Sequence, residues 1–232
     1  MKKLTKNKLT FFGAIIIGLL VVVGLLAPLL VPYDPFEVNI KSALLAPSVE
    51  HLFGTDYLGR DVFSRMIYGA RISLYIGFIS VGIAVLIGLI VGSIAGYYGG
   101  GIDNILMRFV DIMLCFPSFF LILAVAVILG PNIINVMIII GITRWMGVAR
   151  LIRAEILSLK EREFILAARA LGASDFRIIL RHLIPNAIAP VLVSAVLGVA
   201  AAILVESSLS FLGFGVQPPI PSWGNILMEG KS

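Results

Sequence analysis

The aspartates Asp56 and Asp61 are the first side chains whose types and spacing could support chemistry. Two nearby carboxylates could hold a metal ion or assist hydrolysis, but such a site also needs a histidine or a third acid. His51 stands alone in this segment, whereas Arg65 follows Asp61 by four residues, where a helix would pair their charges. The segment therefore predicts an ion pair and not a catalytic or metal site.

A second group of candidates lies in or beside apolar stretches. Glu206 ends a long apolar run and is followed by Ser207 and Ser210. Because an acid in a membrane segment usually serves a function, these three residues are predicted to line a translocation path, unless Glu206 lies at the outer interface. Asp111 follows Arg108 by one helical turn, which favours an ion pair over a proton relay.

Several kinds of chemistry are excluded by what the sequence lacks. One cysteine, Cys115, and two histidines cannot form a disulfide framework or a Cys/His metal cluster. No stretch has the form GxxxxGK[ST], the loop that cradles nucleotide phosphates. We therefore expect no enzyme activity and no cofactor in this chain, and an intramembrane enzyme is a poor interpretation.

The composition predicts an integral membrane protein. Of the 232 residues, 59% are hydrophobic and only 13% are charged, about half of the roughly 25% typical of soluble domains. The net charge of +5 comes from Lys and Arg in short segments between apolar runs. This placement is typical of residues that orient membrane helices, and it argues against nucleic acid as a partner.

Five apolar runs are long enough to cross a bilayer as helices. The Gly-Pro-Asn sequence at 130–132 divides the longest run into two spans, and Arg144 and Arg150 near the end of the fourth can extend towards the interface. The fold class predicted is thus all-α, a polytopic helical bundle. The predicted spans are 11–31, 72–98, 105–129, 133–150 and 183–205.

The distribution of Lys and Arg predicts the orientation. Thirteen of the 18 Lys and Arg residues lie in the N-terminal tail, the 99–108 turn and the 144–182 connection. The positive-inside rule places these segments in the cytoplasm and the 33–71 segment outside. We therefore expect a multi-pass protein of the cell membrane with a cytoplasmic N-terminus.

The cytoplasmic connection between the last two spans has the pattern of two helices joined by a glycine elbow. The composition of 154–171 favours a helix that stops at Gly172, and Ser174 and Asp175 are suited to begin a second one. Pro185 is expected to end or kink that helix. Its apolar face is predicted to comprise Phe176, Ile179, Leu180 and Leu183. The small residues around the elbow would let another protein approach, although a helix floating at the lipid headgroups fits the pattern equally well.

Several long segments resemble the permeases of ABC importers, in the second-permease type of the dipeptide/oligopeptide/nickel branch. The 162–186 segment is similar to the "EAA" loop, which in that family is a cytoplasmic coupling helix seated on the ATP-hydrolysing subunit. The resemblance runs from about residue 8 to 229. The segments that carry it are FGTDYLGRDVFSRMIYGARISL (53–74), AGYYGG (95–100), MRFVDIMLCFPS (107–118), REFILAARALGASDFRIILRHLIPN (162–186) and ESSLSFLGFGVQPPIPSWGNIL (206–227).

This resemblance implies a type I importer transmembrane domain with about five spans present and the last family span missing. It implies four partners besides the lipid bilayer: a homologous second permease, two ATP-binding subunits that carry the nucleotide, and an extracytoplasmic substrate-binding protein. Residues 1–71 would form the tail, first span and outer loop, and 72–232 the permease domain with a coupling loop at about 151–185. The ATPase-coupling residues implied are Glu163, Ala167, Ala168, Gly172, Ala173, Ser174, Asp175 and Pro185.

One position departs from the family pattern within the loop. Leu166 stands where an acid is expected, and Glu163, three residues earlier, could partly replace that acid. The function predicted is a permease for peptides or nickel-type substrates. The alternative is a membrane scaffold or assembly protein whose basic loop binds a partner without any transport path.

Overall fold

The computed structural model describes residues 8–230, which are helical apart from turns, loops and one β-bridge between Thr55 and Asp61. The long connection between the first two helices contains a 3₁₀ turn at Ile40–Ser42, and a π-helical turn lies at Ile179–Leu183. The α-helices are α1 (Lys8–Leu30), α2 (Val62–Tyr98), α3 (Gly100–Leu114), α4 (Ser118–Leu129), α5 (Ile133–Ile142), α6 (Trp145–Leu159), α7 (Glu163–Ala170), α8 (Asp175–Ile178), α9 (Ile184–Phe211) and α10 (Trp223–Glu229).

The prediction of an all-α membrane protein is confirmed. Among the described residues, four helical stretches are long and apolar enough to cross a membrane: Phe11–Leu30, Val62–Tyr98, Ile133–Leu159 and Asp175–Phe211. A fifth crossing is possible if α3 and α4 form one span. The predicted third span at 105–129 is wrong as a single helix, because α3 and α4 meet at 81°. Pro117, at the N-cap of α4, has no N–H with which to continue α3.

The predicted second span begins ten residues too late, since α2 starts at Val62 and not at residue 72. Asp61 explains the early start, because its carboxylate accepts the amide N–H of Ser64 at 2.8 Å and so caps the helix. The same carboxylate lies 2.9 Å from His51 Nδ1. The predicted Asp61–Arg65 pair is therefore wrong: the aspartate is used as a helix cap.

Residue contacts divide the chain into two units, and each is described by itself. The first unit contains residues up to 76, 131–133 and 206 onwards. Its centre is a buried network in which Arg60 and Arg65 both bind Asp56, at 2.7 and 2.6 Å, and Glu229, at 3.1 and 2.9 Å. Burial raises the pKa of the Glu229 carboxyl, an effect that the neighbouring Arg60 charge opposes. Each charge in this network has an opposite partner.

The second unit contains residues 77–130 and 134–205, and a row of glycines on α2 sets its packing. Gly88, Gly92 and Gly96 recur every four residues and so lie on one face of the helix. A Cβ atom at Gly88 would lie 2.6 Å from Val148 Cβ, and one at Gly92 would lie 2.5 Å from the Ala149 carbonyl oxygen. The backbones of α2 and α6 therefore approach as closely as they do only because these side chains are absent.

The predicted fourth span and the predicted helix at 154–171 also differ from the structure. Helix α6 is separated from α5 at Thr143–Arg144 and continues to Leu159, beyond the predicted span end at residue 150. The chain then breaks before α7 begins at Glu163. This break turns Ile165 into the core beside Ile156, and both side chains are fully buried. Burial of apolar surface thus outweighs the uniform helix propensity of the segment.

We predict that Gly92→Ala destabilises the protein. The added methyl group would overlap the Ala149 carbonyl oxygen and lie 2.9 Å from Ile152 Cβ, so α2 and α6 must separate. Overpacking of this kind costs about 1–3 kcal/mol. The measurement is the thermal unfolding midpoint of the detergent-purified protein, which should fall. Gly82→Ala is the matched control on the same helix, because a Cβ there meets nothing within 4 Å. Equal midpoints for the two variants would contradict the packing role.

Candidate functional site

The candidate site is the elbow segment, defined as residues 162–185, and its central feature is the glycine turn that ends α7. Gly172 has a φ of +79°, as expected for a left-handed residue after a helix. Its N–H donates to the Arg169 carbonyl at 3.0 Å, and the Ala173 N–H donates to the Ala168 carbonyl at 3.1 Å. This pair of bonds is the Schellman motif. The predicted helix stop at Gly172 is confirmed.

The second helix of the elbow segment runs without a break into the membrane. Helix α8 begins at Asp175, and the π-helical turn at Ile179–Leu183 joins it to α9. Pro185 is the second residue of α9, so the prediction that it ends the helix is wrong, and the alternative, a kink at this position, stays a prediction. Proline has no amide N–H to donate within the helix. The hydrogen bonds just before Pro185 already depart from the α-helical pattern, because the Ile184 N–H donates to the Ile179 carbonyl, five residues back.

The π-helical turn also changes which side chains are buried. Of the predicted apolar face, Leu183 is fully buried and Ile179 packs against the core, whereas Phe176 is 73% exposed and Leu180 is 48% exposed. Ile178, which lies outside the predicted face, is fully buried, as is Ala187. The π-helical turn, with its hydrogen bonds between residues five apart, places Ile178 and Leu183 on one face, which the normal turn at Ala187 continues. Sequence periodicity assumes 3.6 residues per turn throughout and therefore leaves Ile178 out of the buried face.

The elbow segment presents most of the predicted coupling residues on its surface. Ala168 and Ala173 are half-buried, whereas the others are exposed. Ser174 occupies the N-cap position of α8, but its side chain makes no capping hydrogen bond. The exposed members of the predicted set are Glu163, Ala167, Gly172, Ser174, Asp175 and Pro185.

Tyr97 anchors the elbow segment to the end of α2. The Tyr97 hydroxyl donates to Asp175 Oδ1 at 2.5 Å and accepts from Arg169 Nη2 at 3.4 Å. The Arg169 guanidinium also lies over the Tyr97 ring, 5.7 Å from its centroid. Its bond to Tyr97 raises the pKa of Arg169, so this side chain stays charged. The anchor holds one residue on each side of the glycine elbow.

Two ion pairs link α3 to α6. Arg153 forms two hydrogen bonds to the Asp103 carboxylate, at 2.5 and 2.6 Å. Asp111 pairs with Arg150, so the predicted pair with Arg108 is wrong. The reason is that α3 packs beside α6, which offers Asp111 a partner from another helix. Both side chains of the Asp111–Arg150 pair are more than half exposed, so outside the membrane it would contribute little to stability.

The predicted translocation-path residues lie in the first unit. Glu206 is fully buried, and its Oε1 accepts from Ser210 Oγ at 2.7 Å and from Ser222 Oγ at 2.9 Å. Ser207 is half-buried, with its Cα 2.7 Å from the place where Gly224 would carry a Cβ. The structure thus brings Glu206 and Ser210 together at the start of α10. A role for these three residues in the path stays a prediction.

Comparison with known proteins identifies the family. Residues 88–231 match the model of the binding-protein-dependent transport system inner membrane component, and residues 1–47 match the N-terminal transmembrane domain of oligopeptide transport permease C. The chain belongs to this family of transport permeases. It is a multi-pass protein of the inner membrane, and the predicted resemblance to ABC importer permeases is confirmed.

Curated relatives match over almost the whole chain. The dipeptide transport permease DppC of Alkalihalophilus pseudofirmus is 46% identical over 99% of this chain and 76% of its own length. DppC of Bacillus subtilis is 42% identical, over 99% and 72%. The oligopeptide transport permease OppC of the same species is 41% identical, over 99% and 75%.

A solved structure shows the same fold. A chain of the inward-facing methionine ABC transporter MetNI superposes with a TM-score of 0.54 at 20% identity, covering 65% of this chain and 75% of that chain. The predicted fold class, an ABC importer transmembrane domain, is confirmed by this match.

Some residues that organise the site were not predicted from the sequence. The glycine spacing at 88, 92 and 96 is a readable signal, because small residues four apart mark close helix packing in membranes. The Tyr97–Asp175 and Asp103–Arg153 contacts join residues 78 and 50 positions apart. No local pattern indicates such pairs.

We predict that Tyr97→Phe loosens the elbow segment without unfolding the membrane helices. The change removes one hydroxyl and with it the bond to Asp175. A hydrogen bond to a charged group contributes about 1.5–3 kcal/mol, so amide hydrogen exchange at 171–176 should accelerate by about tenfold or more. Tyr98→Phe is the matched control, because its ring is half exposed and the change removes the same atom. Unchanged exchange in Tyr97→Phe would exclude the anchor.

Proposed function

We propose that this permease is one subunit of an ATP-driven peptide importer. Its relatives are named for dipeptide and oligopeptide transport, which supports peptides as the substrate class and gives no support to nickel. The subunit would enclose the path with a second permease. Two ATP-binding subunits would supply energy, and an extracytoplasmic binding protein would deliver the peptide.

The elbow segment is proposed as the docking site for an ATP-binding subunit. The supporting observation is that large apolar side chains stand exposed on it: Leu171 is 88% exposed and Phe176 is 73% exposed. Apolar side chains clustered on the surface of a polar segment are typical of a protein interface. Leu166, which replaces the acid of the family pattern, is 49% exposed and would add an apolar contact. Docking here therefore relies on shape and apolar area more than on charge.

The proposed orientation places the N-terminus and the elbow segment in the cytoplasm and residues 33–71 outside. It rests on the bias of Lys and Arg towards one set of loops. In the same view, residues 1–71 form the tail, first span and outer loop, and residues 72–232 form the permease domain with its cytoplasmic loop at about 151–185.

The proposed mechanism is alternating access driven from the elbow segment. When ATP binding closes the partner subunits, the docked elbow moves with them. Helix α8 continues into α9 without a break, so this displacement passes directly to a membrane-spanning helix. Tyr97 carries it to α2 at the same time. The partners thus bind the inward- and outward-open states unequally, which any such switch requires.

We predict that Phe176→Asp abolishes docking while the permease still folds. The side chain is mostly exposed, so the charge disturbs an interface and not the core. Burying an unpaired charge at an interface should lower recovery of the ATP-binding subunits with tagged permease by about tenfold or more. Val49→Asp is the matched control, because Val49 is 97% exposed and lies in the segment proposed to be outside. Normal recovery of the ATP-binding subunits and normal peptide uptake in Phe176→Asp would contradict the docking proposal.

The substrate class is tested separately with the wild-type complex in proteoliposomes. Uptake of a labelled dipeptide is expected to require ATP, the binding protein and both permeases. Free dipeptide in excess should compete, and nickel ions should not. ATP-dependent accumulation of nickel without peptide would contradict the proposed substrate class.

A further inference from the structure

Arg144 is the one charged residue lining a membrane cavity within the second unit, among the residues that the structure describes. The cavity has a volume of about 280 Å³ and is bordered by residues of α2, α6 and α9. Besides Arg144, its polar side chains are Ser80 and Ser194, and the rest of its lining is glycine and apolar residues. A Cβ atom at Gly147 would meet nothing within 4 Å, so the missing side chain leaves open space next to Arg144.

The Arg144 side chain lacks a partner in the part of the chain that the structure describes. Its Nη1 atom is buried and makes no hydrogen bond there, and residues 8–230 contain no ion pair to it. Arg153 and Arg150, on the same helix, both bind aspartates. A charge inside a membrane is costly and is retained where it serves a function. Arg144 therefore differs from its neighbours by having open donors that face a cavity.

Arg144 lies at the junction of α5 and α6 inside the apolar Ile133–Leu159 stretch, 11 residues from Ile133 and 15 from Leu159. The structure places its guanidinium on the wall of the cavity. The extension of this side chain to the interface, expected from the sequence, stays a prediction.

We propose that Arg144 binds the C-terminal carboxylate of the peptide in transit, an inference that rests on the proposed peptide importer. A guanidinium offers two parallel N–H donors to a carboxylate. Peptides differ in every side chain but share this terminal group, so one arginine can serve all of them. The apolar walls and the open space at Gly147 make no contact that would distinguish one peptide side chain from another. Binding is expected to be weak, because a path must also release its cargo.

The first test measures the charge of the cavity in the assembled transporter. In a Cys115→Ser background, Ser194→Cys places a single thiol in this chain on the cavity wall. A negatively charged methanethiosulfonate should modify it at least about tenfold faster than a positively charged one, because Arg144 attracts the anion. Adding Arg144→Gln should remove this preference, and Arg144→Lys should retain it. Absence of any preference would show that a partner acid neutralises Arg144 and would overturn the proposal.

A thiol outside the cavity supplies the matched control for folding. Ser158→Cys lies on the same helix α6 and is not part of the cavity lining. Its modification rate should be the same with and without the Arg144→Gln change, which confirms that this change leaves the helix intact. A change of the same size at both thiols would assign the effect to misfolding and contradict the proposal.

The second test uses the dipeptide alanyl-alanine as a protecting ligand and needs no binding protein. At millimolar concentration it should slow modification of Ser194→Cys, whereas its C-terminal amide should not. Arg144→Gln should abolish the protection. Equal protection by the acid and the amide, or protection that survives Arg144→Gln, would overturn the carboxylate site. Failure of ATP-driven dipeptide uptake by the wild type, with protection intact, would instead contradict the importer function.

Discussion

The contact between α2 and α6 through Gly88, Gly92 and Gly96 is the constraint on which the second unit depends. Membrane helices gain no hydrophobic free energy by leaving lipid for one another, so their association relies on close packing. Three missing side chains supply that closeness along two turns of α2. The next residue after this row is Tyr97, which binds the elbow segment. The glycine row therefore also fixes where the elbow can be held.

Several charged side chains hold the fold through ion pairs with one another. Asp103 and Arg153 satisfy each other across two helices, and each carboxylate of the Asp56–Glu229 network faces two guanidiniums. Removing either partner would leave a buried charge uncompensated, which is far more costly than losing the pair. Arg144 makes no such pair among residues 8–230. The contrast separates a structural arginine from one that is open to a ligand.

The parts that the sequence predicted are those governed by local chemistry. The membrane spans can be predicted because their apolar runs are long enough to cross a bilayer. The elbow at Gly172 can be predicted because glycine adopts the left-handed backbone conformation. Several wrong predictions have another cause: the buried face of the elbow segment, the break before α7 and the partner of Asp111 all depend on contacts with another helix. A register shift of one residue exposed Phe176 and buried Ile178. Single-sequence periodicity takes no account of such a neighbour.

The π-helical turn has a consequence for how motion could pass through the chain. A wide turn keeps Ile178 on the buried face with Leu183 while leaving Phe176 and Leu180 exposed, so one short helix serves both a core and a surface. A regular α-helix through these residues would place Phe176 and Leu180 on one face with Leu183 and leave Ile178 outside it. The continuous path from Asp175 to Phe211 would then lose either its anchor in the core or its exposed apolar side chains. The irregular turn is what allows one continuous helical stretch to carry both a buried face and exposed apolar side chains.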